Sequence, residues 1–255
     1  MNEERVAVRG GEVMVRRAGS GDPLLFLHPA GGGAWRPFHD RLATRYEVIA
    51  PEHPGWGDSD DLPDVEDIHD LVFHYLDLLD RLGLERPIVM GSSFGGWVAA
   101  ELAVYAPQRV QRLVLVDAIG LRIPEDPIAD LFAMGPEETA AALFHDPAAA
   151  QAMFGGGEPD LDTKLRIYRD QSAFARFAWK PFCNDPKLAR RLYRVTAPTL
   201  LVWGEHDPIV PRAHAHRYAE LIADTRLELV PATAHSPLLE RPEATVDLIL
   251  DFLGG

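Results

Sequence analysis

The stretch Gly91-Ser92-Ser93-Phe94-Gly95-Gly96 follows the apolar run Pro87–Met90 and opens a helix-compatible segment at 95–106. It fits G-x-S-x-G at a strand-to-helix junction. That turn is so sharp that the residues two before and two after the central serine must be small. Gly91 and Gly95 meet the requirement. The turn exposes the Ser93 hydroxyl at the edge of a sheet, above the N-terminus of the next helix. The helix dipole and its unpaired N–H groups favour negative charge developing there. Ser93 is therefore the candidate nucleophile. A hydroxyl at its ordinary pKa is a weak nucleophile, so a base must take its proton, and an acid must orient that base.

Outward from this turn the chain alternates strand and helix patterns. Segments 4–9 and 12–17 flank Gly10-Gly11 as a hairpin, followed by apolar strands at 23–28, 46–50, 87–92, 112–117, 199–203 and 226–230. Helical spacing occupies 35–44, 66–82, 95–106, 211–223 and 242–253. The spacing predicts an α/β fold with a mostly parallel eight-stranded sheet covered by helices on both faces. Segment 122–194 lacks strand patterns and reads as a helical cap insertion. The catalytic core is then 1–121 plus 195–255. In such sheets ligands bind beyond the carboxyl ends of the strands.

The loops after those strands supply the partners. His235 follows strand 226–230 and is the candidate base; Asp207, in Gly204-Glu205-His206-Asp207, follows strand 199–203. Asp117, at the end of strand 112–116, is a second candidate acid. An acyl-transfer site also needs an oxyanion hole, in which each donor is worth about 3–4 kcal/mol. One donor is the N–H of Phe94. The other comes from His28-Pro29-Ala30-Gly31-Gly32-Gly33, where Pro29 has no N–H and Ala30 is the first that can donate. This loop lacks the Lys-Ser/Thr of a phosphate-binding loop, and His214-x-His216 diverges on its helix, so no metal site is expected.

Composition narrows the partners. The 255 residues carry 25 Lys+Arg against 39 Asp+Glu, a net charge of −14, which disfavours nucleic acid and anionic membranes. Nine of those acids lie in 58–80, a span without Lys or Arg that reads as a solvated face. The single Cys183 forms no internal disulfide, and the N-terminus shows no apolar signal region. These features fit a cytoplasmic monomer or homodimer. Trp35, Trp97, Phe132, Met134, Trp179, Phe182 and Val210 are candidate pocket residues. Arg169 and Arg176 would favour a carboxylate-bearing substrate if either lined that pocket.

The motifs His28–Gly33, Ala50–Ser59, Gly91–Gly96, Pro198–Asp207 and His235 with Glu240–Glu243 together resemble the α/β-hydrolase superfamily over essentially the whole chain. Within it the chain is similar to small capped bacterial carboxylesterases, enol-lactonases, meta-cleavage-product C–C hydrolases and perhydrolases. The resemblance implies Ser93 as nucleophile, Asp207 rather than Asp117 as acid, His235 as base, and Ala30 and Phe94 as oxyanion donors. It implies no cofactor. A serine at position 93 argues against dehalogenases and epoxide hydrolases, which carry aspartate there. Pro29 departs from the usual His-Gly dipeptide. The implied substrate is a small-molecule ester or related acyl compound. C–C or lactone cleavage is the alternative, and a non-catalytic receptor on the same fold is a third reading.

Overall fold

The computed structural model describes residues 1–154 and 159–254. Eight strands form one sheet: β1 (Asn2–Val8), β2 (Gly11–Ala18), β3 (Pro23–Leu27), β4 (Glu47–Pro51), β5 (Ile88–Ser92), β6 (Leu113–Val116), β7 (Thr199–Gly204) and β8 (Thr225–Val230). Their order is β1-β2-β4-β3-β5-β6-β7-β8. The β1–β2 and β2–β4 pairs are antiparallel, and every pair from β4–β3 onward is parallel. The expected α/β class and sheet are therefore present, with strand ends shifted by a residue or two.

Apolar residues alternate across the sheet with the two-residue period of a strand. Leu25, Leu27, Val89, Leu113, Leu115, Leu201 and Trp203 face one core; Leu24, Phe26, Ile88, Met90, Val114, Val116, Leu200 and Val202 face the other. Continuous apolar strands are thus buried on both faces. The second core is closed by α1 (Pro37–Leu42) and by the C-terminal helix. The first is closed by α2 (Ile68–Arg81) and α3 (Phe94–Tyr105). Asp67 caps α2 by accepting from the N–H groups of His69 and Asp70, which fixes where that amphipathic helix begins.

Segment 122–194 contains α4 (Pro136–Leu143), α5 (Pro147–Phe154), α6 (Leu161–Ala178) and single 3₁₀ turns. Residues 155–158 of that segment lie outside the described residues. After it come α7 (Arg212–Leu221), a short α8 (Pro237–Glu240) that the sequence pattern did not foretell, and α9 (Pro242–Gly254). Among the described residues no helix is long and apolar enough to cross a membrane.

The acidic span 58–80 keeps its carboxylates at the surface, and several of them pair there with arginines. Asp58 pairs with Arg166 and Asp61 with Arg176, both from α6, while Asp60 pairs with Arg5 and Asp80 with Arg109. Arg169 donates to the carbonyls of Gly57 and Ser59 at 2.9 and 2.6 Å. From the same helix Asp170 accepts from the Gly57 N–H at 3.0 Å. The basic side chains of α6 and the acidic loop before α2 form one docking strip.

Candidate active site

Ser93 sits at the junction of β5 and α3 with φ +52°, a left-handed conformation that non-glycine residues rarely adopt. The neighbouring glycines make it possible. A Cβ at Gly91 would lie 2.1 Å from the Gly95 carbonyl oxygen, and one at Gly95 would lie 2.1 Å from that of Leu27. Backbone contacts that close admit no side chain. Ser93 Oγ lies 2.8 Å from His235 Nε2, and His235 Nδ1 lies 2.8 Å from Asp207 Oδ2. Nδ1–H donates to the carboxylate, which leaves Nε2 to accept the serine proton. The other oxygen, Asp207 Oδ1, accepts from the N–H groups of Ile209 and Val210 at 2.8 and 3.0 Å. All three side chains are buried, so their polar interactions operate away from bulk water.

The loop after β3 is held by its carbonyl oxygens. His53 Nε2 donates to His28 O at 2.9 Å, and His28 Nδ1 donates to Pro29 O at 2.7 Å. The Trp56 indole N–H donates to Ala30 O at 2.9 Å. Because each peptide is planar and trans, a fixed carbonyl also fixes the following N–H in the opposite direction. The N–H of Ala30 is thereby aimed away from the His28 ring, and that of Gly31 away from Trp56. Burial keeps both rings neutral: it pushes His28 down to about 4, and with the neighbouring His28 it pushes His53 well below its usual range.

A second network positions the base. Glu240 accepts from the N–H groups of His145 and Asp146, between α4 and α5, and from that of Ala234 beside His235. The sequence showed Glu240 only as part of a motif and carried no signal of this bridge.

The expected pocket residues divide. Phe132 stacks on Phe174 of α6 with ring centroids 5.2 Å apart, and Phe174 stands 5.5 Å from Phe94. Phe177 also reaches Phe94 at 5.9 Å. The i, i+3 spacing of these two α6 phenylalanines is the sequence signal that they share one helix face. Met134 and Phe182 are half-buried against the same core. Trp179 instead faces solvent at 63% exposure, at the end of α6, where only its edge meets Phe132. Trp35 folds onto His39 and Asp40 of α1, on the other core. Trp97 is buried in the body of α3, where its indole N–H donates to Glu101 one turn on. Val210 is buried too, and holds Asp207 through its backbone.

Arg169 and Arg176 are committed to the 57–62 loop. A cleft of about 470 Å³ is lined by Asp126, Glu205, His206, Asp207, Pro211, Arg212 and Ala213, without Ser93 or His235. His214 is buried and bonded to the Asp126 carbonyl. His69, Glu101 and Asp185 bring ligating atoms within 4.8 Å of one another. A cation is already there: Arg191 Nη1 lies 2.9 Å from Asp185 Oδ2 and 3.5 Å from His69 Nε2.

The sequence model of the alpha/beta hydrolase family matches residues 24–248. This chain belongs to the alpha/beta hydrolase family. Among its relatives, the putative carbamate hydrolase RutD of Pseudomonas savastanoi pv. phaseolicola is 32% identical, covering 91% of this chain and 93% of that protein. The 2-hydroxy-6-oxo-6-(2'-aminophenyl)hexa-2,4-dienoic acid hydrolase of Metapseudomonas resinovorans is 29% identical over 98% of this chain and 90% of its own. A solved serine hydrolase involved in carbazole degradation superposes with a TM-score of 0.78 at 26% identity, covering 99% of this chain and 98% of that one. In this alpha/beta hydrolase the loops after β5, β7 and β8 meet at Ser93, Asp207 and His235.

Proposed function

We propose that this chain is a serine hydrolase that cleaves small to medium neutral carboxylic esters through an acyl-enzyme, with segment 122–194 as the cap over its site. The observation that carries the reading is the unbroken line Ser93–His235–Asp207, with both intervals at 2.8 Å. In the forward step Ser93 Oγ attacks the ester carbonyl carbon as its proton passes to His235 Nε2. The N–H groups of Phe94 and Ala30 hold the tetrahedral oxyanion. Phe94 is the first residue of α3, so its N–H has no partner a turn earlier in the helix. The intermediate collapses, the alcohol leaves with the proton from His235, and water then releases the acid by the same route. Asp207 fixes the imidazole tautomer and stabilises its charged form.

The preference for a neutral substrate rests on the two cap arginines. Both are committed to the acidic loop, so neither supplies a cation for a carboxylate beside Ser93. C–C bond hydrolysis is the second reading, favoured by the relative named as a hydrolase of a dienoic acid. A panel of neutral esters, a lactone, a carbamate and a ring-fission dienoate tests both. The highest kcat/KM is expected on neutral esters, and a clear preference for the dienoate would favour C–C bond hydrolysis instead.

A further inference from the structure

Asp117 follows β6 and is wholly buried, with φ +45°. A non-glycine residue in that region is strained, although the short polar side chains of Asp and Asn tolerate it better than most. Its Oδ1 accepts from the Gly204 N–H at 2.8 Å. Its Oδ2 is buried and has no N–H or O–H donor. Around this carboxyl the β7 and β8 loops come so close that a Cβ on Gly204 would lie 1.8 Å from the Ala234 carbonyl oxygen. Ligating atoms of Asp117, Asp207 and His235 lie within 4.8 Å of one another.

Two carboxyls this close, away from water, do not both ionise readily. The donors decide which keeps the charge. Asp207 accepts three N–H groups, from Ile209, Val210 and His235, whereas Asp117 accepts one. Hydrogen bonds to a carboxylate favour its charged form, so the proton resides on Asp117. A proton on Oδ2 also gives that orphaned oxygen a partner.

We propose that Asp117 is a neutral carboxylic acid whose Oδ2–H donates to Asp207, which makes it a positioning residue for the Asp207–His235 pair. The inference rests on the roles proposed above for Asp207 and His235. The charged or titratable groups facing Asp117 are Asp207 and His235 from the β7 and β8 loops and Glu240 from α8. Burial and the charges of Asp207 and Glu240 push its carboxyl well above the ordinary carboxylate range. By sharing the Asp207 charge, the donor weakens its hold on the imidazolium. Without that donor Asp207 holds the imidazolium more strongly.

Infrared difference spectra at neutral pH, wild type against Asp117→Asn, read the proton directly. Asparagine tolerates the left-handed backbone and retains both a donor and an acceptor. The expected result is loss of a protonated-carboxyl band with the carboxylate bands unchanged; loss of carboxylate absorption overturns the proposal. In ester hydrolysis Asp117→Asn should stay within about threefold of wild type, whereas Asp117→Ala should lose about tenfold or more in kcat. The acid limb of kcat/KM should rise by about one pH unit in Asp117→Ala. An unmoved limb, or an Asn variant as impaired as the Ala variant, also overturns it. If Ser93→Ala kept wild-type turnover, the nucleophile assignment would fail, while the infrared result would still report the Asp117 proton.

Discussion

His53 and His28 grip each other at two points: the His53 backbone N–H donates to His28 Nε2, and His53 Nε2 donates to the His28 carbonyl, each at 2.9 Å. The hydroxyl of Tyr75 on α2 completes the chain by donating to His53 Nδ1. Through these bonds α2 is tied to the loop carrying Ala30. His53→Ala should lower kcat by about 10- to 100-fold with little change in KM, because an oxyanion donor acts mainly in the transition state. Tyr75→Phe leaves a buried ring nitrogen unpaired and should cost about 1–3 kcal/mol of stability. Steady-state kinetics and denaturant unfolding separate the two effects.

Gly95→Ala places a methyl group against the Leu27 carbonyl oxygen, 2.1 Å away. Neither backbone can retreat without opening the β3–β5 pairing beneath the turn. The variant should fail to accumulate as folded protein, whereas Ser93→Ala, which removes only a hydroxyl, should fold normally. Circular dichroism of the purified variants checks this.

Glu101 is buried on α3, and burial with the charge of Asp185 raises its carboxyl to about 7 from 4.5. Between those values the folded state holds a proton that the unfolded chain has released, so stability falls as pH rises across that window. The loss amounts to roughly 3 kcal/mol. The neutral histidines act in the opposite sense. Burial lowers His28 and His74 to about 4 from 6.5, so their contribution is present above 6.5 and is lost as pH falls toward 4. Glu101→Gln keeps an oxygen for the Trp97 indole and removes the ionisation. It should raise Tm at about pH 8 by several degrees and give no gain near pH 5. Thermal melts across that range test it.

Arg169 joins α6 to the acidic loop and not to a substrate carboxylate. Arg169→Met should therefore leave the kcat/KM ratio between a neutral and a carboxylate-bearing ester unchanged within about twofold, while loosening α6. Limited proteolysis should cut segment 122–194 faster in the variant.

The sheet was legible because its strands are continuous apolar runs bounded by turn residues, and Ser93, Asp207 and His235 stand in the loops that directly follow strands. The reasons for the misses are equally physical. Trp35, Trp97 and Trp179 are large aromatic residues in segments expected to flank the site. Side-chain direction separates them into the α1 core, the α3 core and solvent. The acidic run 58–80 is solvated as its pattern suggests, but its pairing with Arg166 and Arg176 is invisible in the sequence because those partners lie about a hundred residues away. Glu240 and Asp117 act through contacts between distant loops, and no local periodicity reports those.

Acid quenching during turnover of a p-nitrophenyl ester, followed by peptide mass analysis, reads directly whether Ser93 carries the acyl group. An acyl adduct is expected on the peptide containing Ser93, abolished in Ser93→Ala together with ester turnover. An adduct on another residue, or undiminished turnover by a folded Ser93→Ala variant, would contradict it.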